Sequence, residues 1–497
     1  ATVVNRTRNR TLIMVVQEVS TVAEFQGVLE EAAQEYAITV LFFCSDSVGK
    51  QRLRYQELSE KYLKIRWCQT AVDEGSALIQ AHGVKKFPTY KLFIENNEVQ
   101  SLVGATLEKV EAALMHKIIP VPVSLMGCKA HICLWGHSAL GNPVHRITFM
   151  NATNLEVSLI SYGAALQSCR FPNKRGNSEE LCLNCGSMAE LEGWGKQYYP
   201  GGTIGRVANR IADGLFVLDD QEYDLACNDG TNHLHGGYQG FDKYVWDYEV
   251  FEEPGEVGVK FHRVSLNGEE GYPGTLNVEA IYTISEKGNR LKMEYKAKAV
   301  TGPSVVDMTN HTYWNLSGNF QEDIGRQELW VNADKYLLTD KSKIPTGKLA
   351  DVQGTPLNFL APVALKWRMS KVKRDGMDHC FMVNRRSIKK GDPVQVATIS
   401  HPENGRTMTI YSTQPALQVY TGNNLSLSNE HFPFIKHNGI VIQPQQFPNS
   451  VNSEDQSCAI RIEAGESYRQ CTYFEFSLEN EPMMNGNNPI CHVCKCF

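Results

Sequence analysis

The stretch Lys436-His437-Asn438-Gly439-Ile440-Val441-Ile442-Gln443-Pro444-Gln445-Gln446-Phe447-Pro448 is a short β-branched run between turn residues. It reads as a buried strand, because β-branched side chains pack well on a pleated surface and Gly and Pro punctuate it. The same pattern extends over about residues 134–478. Runs rich in Val, Ile, Tyr and Phe alternate with Gly/Asn/Asp turns, as in Val157–Tyr162, Gly214–Val217, Val257–Arg263, Thr275–Ile284 and Leu291–Ala297. Long helical periodicity is lacking, so this part predicts a large all-β sandwich of some thirty strands.

The chain changes character upstream. Thr11–Val16, Thr39–Cys44 and Ile65–Thr70 read as strands, alternating with helical patterns over Val22–Glu35, Lys50–Tyr62 and Gly75–His82. Tyr90–Ile94 and Glu98–Val103 form a hairpin around Glu95-Asn96-Asn97, and Leu107–Lys117 closes the unit as a helix. This order predicts a mixed α/β sheet over residues 1–118. Gly83-Val84-Lys85-Lys86-Phe87-Pro88-Thr89 resembles the cis-proline loop of the thioredoxin family, and the domain as a whole resembles that fold. Ser47-Val48-Gly49-Lys50 then stands where that family carries Cys-x-x-Cys. Dithiol exchange needs two sulfurs within bonding reach, so the resemblance implies a redox-inactive domain. Cys44 and Cys68 lie on predicted strands and read as small core residues. Two prolines in Ile118-Ile-Pro-Val-Pro-Val123 open a linker assigned to residues 119–133. A Cys-containing tail covers 479–497.

Composition excludes several classes. The 497 residues are 42% hydrophobic and 21% charged, with a net charge of −6 and no long basic run. Electrostatics therefore give no reason for a nucleic-acid partner. No apolar stretch approaches the roughly 18 residues a membrane helix needs. Residues 1–6 have no apolar signal core; either a removed Met or a cleaved leader fits that start. The fourteen cysteines are scattered through a large chain, unlike a small disulfide scaffold, so a cytoplasmic location is expected, with an extracellular one as the alternative.

Five segments of the β region carry the chemistry. They are Gly202-Thr-Ile-Gly-Arg-Val-Ala-Asn209-Arg210-Ile-Ala; Asn232-His-Leu-His235-Gly-Gly-Tyr-Gln-Gly-Phe-Asp-Lys243; Asn310-His311-Thr-Tyr-Trp-Asn-Leu-Ser-Gly; Met377-Asp378-His-Cys-Phe; and the Gln443 stretch. In that order and spacing they resemble the aldose 1-epimerase (galactose mutarotase) family. The resemblance implies a sugar cleft in which Asn209, Arg210, His235 and Asp378 bind sugar hydroxyls and His311 is the general acid. Polyols are recognised by convergent polar groups, and a planar guanidinium suits vicinal hydroxyls. An imidazole with an ordinary pKa near neutrality suits acid catalysis. The family's base is a glutamate at the position of Gln443. An amide can donate or accept a hydrogen bond there but cannot take a proton.

Gln443 therefore poses three alternatives. The first is a sugar-binding pseudoenzyme, or strongly impaired mutarotase, that binds galactose or glucose. The second is an active aldose 1-epimerase with a substitute base such as Glu454, Asp378 or a water relay. The third is a structural protein. No cofactor is expected, and a protein partner would use the thioredoxin-like domain.

Several motifs also have plainer readings. Trp246 and Trp314 could stack on a sugar but fit a sandwich core better. His233 and His235, one residue apart, would share a strand face; the resemblance makes only His235 a ligand, so no metal is expected. Cys182-Leu-Asn-Cys185 and Cys491-His-Val-Cys494 are two-ligand zinc fragments, read as ordinary loop pairs or disulfides. Cys494-Lys-Cys-Phe497 has the form of a prenylation signal with poor central residues, and a membrane contact would require lipidation of Cys494.

Overall fold

A computed structural model of the chain describes residues 128–478 apart from 373–375, 386–387, 390, 428–433 and 454–459; before them it describes 17–19, 21–34, 38–44, 65–71, 80–82, 84, 89–94, 97–103 and 123–125. The chain divides into two compact units, residues 1–121 and 122–497.

In the first unit, Gln17–Glu18, Ile65–Ala71, Ile38–Cys44, Thr89–Ile94 and Asn97–Val103 lie side by side in that order. The first three pair in parallel and the rest antiparallel, which makes the sheet mixed. The helix Val22–Gln34 buries Phe25 and Val28 in a cluster with Val19, Leu41, Phe43 and Cys68. Cys68 is a core residue there, as its strand position predicts. Ser47–Lys50, Pro88 and the predicted helices over 50–62 and 107–117 lie outside the described residues, as does the tail 479–497.

The second unit is mostly β-sheet with few helices. Among its described residues, two α-helices, Met188–Glu192 and Leu365–Met369, are five residues each. Val123–Leu125 and Cys128–His137 are strands, paired in register with each other and, through the second, with Pro143–Met150. Residues 123–125 and 128–133, within the expected linker 119–133, thus belong to this unit's first six-stranded sheet, because their backbone groups are used in its ladder.

A nine-stranded antiparallel sheet runs from Asp247–Glu253 through Thr275–Ser285, Arg290–Thr301 and Ser467–Leu478 to Val363–Ala364. A second six-stranded sheet has the order Tyr313–Trp314, Ile440–Gln445, Ala416–Tyr420, Asp378–Met382, Lys335–Thr339, Pro345–Asp351. Period-two alternation gives this sheet two distinct faces. Trp314, Phe381, Leu417, Val419, Ile440 and Ile442 enter the main core with Phe474 and Phe476 of the nine-stranded sheet, Trp314 lying 5.3 Å from Phe474. Tyr313, Asp378, Gln418, Tyr420 and Gln443 point to the opposite face, which carries the site. Trp246 and Trp314 are both fully buried core residues.

Candidate functional site

Register assembles the floor of the site. Gln443 lies directly opposite Gln418. Asp378 lies opposite Tyr420, and Tyr420 opposite Val441. Directly opposed residues of an antiparallel pair share a face, so Gln443, Gln418, Tyr420 and Asp378 point the same way. The Gln418 amide donates to Asp378 Oδ1 at 2.7 Å. Tyr313, opposite Val441, brings in His311 two residues earlier, with rings 5.0 Å apart.

His311 is placed by backbone bonds on both sides. Its N–H donates to Gly202 O and its C=O accepts from Gly201 N–H, both at 3.0 Å. Asn310 ties the same turn by donating from its amide to Gly201 O at 2.8 Å. The His311 ring is 5.4 Å from that of His235, and Tyr199 lies 5.1 Å from His235 and 5.5 Å from His311. Burial lowers His311 to a pKa of about 4. Its imidazole is therefore neutral at pH 7, contrary to the near-neutral titration expected from the residue type, because a buried imidazolium loses its hydration.

Asn209 and His235 hold each other. Asn209 N–H donates to His235 Nδ1 at 3.1 Å, and His235 N–H donates to Asn209 O at 3.0 Å. Because Nδ1 accepts, the proton of the neutral ring sits on Nε2. Both residues adopt left-handed backbone, φ +63° and +53°, which costs about 1–2 kcal/mol each and persists only where the surroundings impose it. The next residue, Gly236, must be glycine: a Cβ there would stand 1.9 Å from Gly205 O. The strand ends at Leu234, so His233 and His235 do not share a face as expected. His233 turns to Ala226 O at 2.8 Å and Tyr272 Oη at 2.7 Å inside a separate core.

Every cation at the site has a carboxylate partner. Arg210 Nε donates to Asp229 at 2.7 Å. Lys243 Nζ contacts both oxygens of Asp242, at 3.0 and 2.8 Å, and sits 4.5 Å from the centre of the Tyr199 ring. Lys343 pairs with Asp378 Oδ2. Burial opposes ionisation of Asp378, but the charges of Lys343 and Arg210 outweigh it and hold the carboxyl below its ordinary range. Gln443 is 2% exposed, and its amide nitrogen has no hydrogen-bond partner.

A profile of the aldose 1-epimerase family matches residues 145–475. The chain belongs to this family. It is 39% identical over 335 residues to the galactose mutarotase of Rattus norvegicus, covering 66% of this chain and 93% of the relative. It is 32% identical over 349 residues to the aldose 1-epimerase of Escherichia coli, covering 68% and 97%. The structure resembles the galactose 1-epimerase of Lactobacillus acidophilus with a TM-score of 0.62 at 26% identity, covering 71% of this chain and 99% of that one.

The fold thus brings all six singled-out residues, Asn209, Arg210, His235, His311, Asp378 and Gln443, into one neighbourhood. It adds Tyr313, which lies within the quoted His311 segment, and Gln418, Lys343, Asp229 and Tyr199, for which the sequence carries no local signal. His379 accepts Asp378 N–H at Nδ1 (3.1 Å) in a supporting position. Among the described residues no group of three His, Cys, Asp or Glu could hold a metal, and Cys182 and Cys185 are buried free thiols. Glu454 and Cys491–Phe497 lie outside the described residues.

One buried carboxyl also escaped sequence reading. Asp307 accepts Gln446 N–H at 3.1 Å, just past the Gln443 strand, and Tyr468 Oη at 3.4 Å. Burial raises its pKa from 3.8 to about 7. Between those values the folded state keeps a proton that the unfolded chain has lost, so stability falls as pH rises from 4 to 7 and is flat above. At about 1.4 kcal/mol per pH unit the upper bound is roughly 4 kcal/mol. Asp307→Asn keeps an acceptor without the charge. It is expected to raise the melting temperature at pH 8 by several degrees and at pH 4 by little, as measured by thermal denaturation at both pH values.

Proposed function

We propose that this chain is a carbohydrate-binding member of the aldose 1-epimerase family whose epimerase chemistry is lost or strongly impaired. Its ligand is an aldohexose such as galactose or glucose, as the names of its relatives suggest. The carrying observation is Gln443, a buried amide on the same sheet face as Asp378 and beside the His311 cluster. Ring opening of a pyranose needs a base for the C1 hydroxyl proton and an acid for the ring oxygen. An amide cannot serve as that base, and a general base typically contributes about 10²–10⁴-fold.

Three of the nearby described carboxylates are committed to other partners. Asp378 is engaged by Lys343 and Gln418, Asp229 by Arg210 and Asp242 by Lys243. The charges of Lys343 and Arg210 hold Asp378 in its ionised form, which makes it a weaker base. In this reading Asn209, Arg210, His235 and Asp378 hold the sugar, and neutral His311 donates a hydrogen bond toward the ring oxygen.

The N-terminal unit is read as a thioredoxin-like domain without a dithiol. Its mixed sheet supports that reading, and it would serve a protein partner in the cytoplasm.

Polarimetry of α-D-galactose tests the proposal. Wild type is expected to leave the spontaneous rate unchanged while binding galactose saturably, and Arg210→Ala to weaken that binding at least tenfold. Catalysed turnover by the wild type would overturn the loss of chemistry. Asp307, a carboxyl titrating near 7 beside the Gln443 strand, favours the second reading of an active enzyme with a substitute base. That reading expects turnover abolished by Asp307→Asn.

A further inference from the structure

The site is neutral and rich in donors, and this bears on which sugars it takes. Three cations, Arg210, Lys243 and Lys343, are matched by Asp229, Asp242 and Asp378. Gln443 adds no charge to this balance, whereas a carboxylate there would leave the site with an excess negative charge. Each Asp378 oxygen already takes one partner, Oδ1 Gln418 and Oδ2 Lys343, which leaves part of its acceptor capacity for a ligand. Several of the groups left for a ligand are donors. Gln443 Nε2 is buried without an acceptor, and His235 carries its proton on Nε2. Arg210 spends Nε on Asp229 and makes no hydrogen bond through its Nη groups among the described residues. A guanidinium edge and an amide are the usual partners of a carboxylate, which accepts in the plane and cannot donate. A neutral sugar hydroxyl would satisfy one of these donors at a time, whereas a carboxylate can accept from two of them at once.

We propose that the preferred ligand of this site is a sugar acid, a hexose derivative whose carboxylate is bound by Gln443 and Arg210. The proposal rests on the carbohydrate-binding reading above and narrows it to a substrate class. The carboxylate is at C1 in an aldonate and at C6 in a uronate; the donor set is common to both, and binding data separate them.

The test is calorimetric titration of the full-length wild type at pH 7 with D-galactonate, D-galacturonate and D-galactose. At least one of the two acids is expected to bind ten or more times tighter than galactose, with affinity falling as salt is raised. Gln443→Glu places a like charge against the carboxylate and is expected to weaken the acid at least tenfold while retaining galactose. Lys343→Met, a change on a partly exposed loop, unmasks the Asp378 charge and is expected to weaken the acid in the same direction. It serves as the second variant if Gln443→Glu does not fold. Galactose binding as tightly as both acids, or acid affinity untouched by both variants, would overturn the sugar-acid assignment and leave the carbohydrate-binding reading intact. Failure of all three sugars to bind would overturn both.

Discussion

Gln443→Glu is expected to create mutarotase activity, raising the catalysed conversion of α-D-galactose by about 10²–10⁴-fold over the wild type. That factor corresponds to roughly 3–5 kcal/mol of barrier, the contribution of one well-placed base. The geometry favours a gain from a single substitution. The strand carrying residue 443 is fixed by pairing on both sides, and Gln and Glu have nearly the same shape. Asn209 and His235 are locked in their unusual backbone by two reciprocal hydrogen bonds. The new carboxylate would share a sheet face with Asp378, on which the charges of Lys343 and Arg210 act, and the same positive charge limits the cost of ionising it in a buried position. Polarimetry beside the wild type reads the result. A variant that folds, binds galactose and still fails to exceed the spontaneous rate would mean that more than the base has been lost. A wild type already as fast as the variant would mean that another group does the work.

The second large effect is on stability. Arg206 is 2% exposed, and its guanidinium donates to Pro273 O at 2.7 Å, Gly274 O at 2.9 Å, Ser265 Oγ at 2.5 Å, Leu266 O at 3.1 Å, Ser265 O at 3.2 Å and Ser304 Oγ at 3.3 Å. It also sits 5.6 Å from the centre of the Tyr272 ring. Burial lowers its pKa to about 10, so it stays charged at neutral pH. Removing it leaves several buried carbonyls without donors and opens a cavity. Each orphaned acceptor costs about 1–3 kcal/mol, and breaking a buried charge network typically costs about 3–5 kcal/mol in all. Arg206→Ala is expected to lose at least about 4 kcal/mol, or to yield no soluble protein. Arg206→Lys, which keeps the charge but not the fork, should recover only part of it. Urea denaturation measures both. A loss under about 1 kcal/mol for Arg206→Ala would show that water replaces the guanidinium freely.

Much of the fold could be read from residue order. Short β-branched runs between Gly/Asn/Asp turns predict the sandwich, because alternation along a strand must match a core on one face. Leu276, Val278 and Ala280 on one strand, and Leu291, Met293, Tyr295, Ala297 and Ala299 on the next, are buried at alternate positions in this way. Where sequence reading failed, the cause was non-local. Pro120 and Pro122 lead to the expectation of a linker over 119–133, yet a neighbouring strand with open backbone groups recruits residues 123–125 and 128–133. His233 and His235 were placed on one face by strand alternation, and a left-handed residue after Leu234 cancels it.

The sequence by itself determined which functional groups exist here and in what order. It supplies the His311 imidazole, the Asp378 carboxyl, an amide where the family has a base, and a chain able to make the strands that carry them. Tertiary structure alone decided how those groups behave. Lys343 and Gln418 meet Asp378 only through sheet register and a loop whose partner lies 35 residues away. His311 is neutral, and Asp307 titrates near 7, because both are removed from water. Charge and proton affinity depend on neighbours and dielectric, and neither is a property of a residue in isolation.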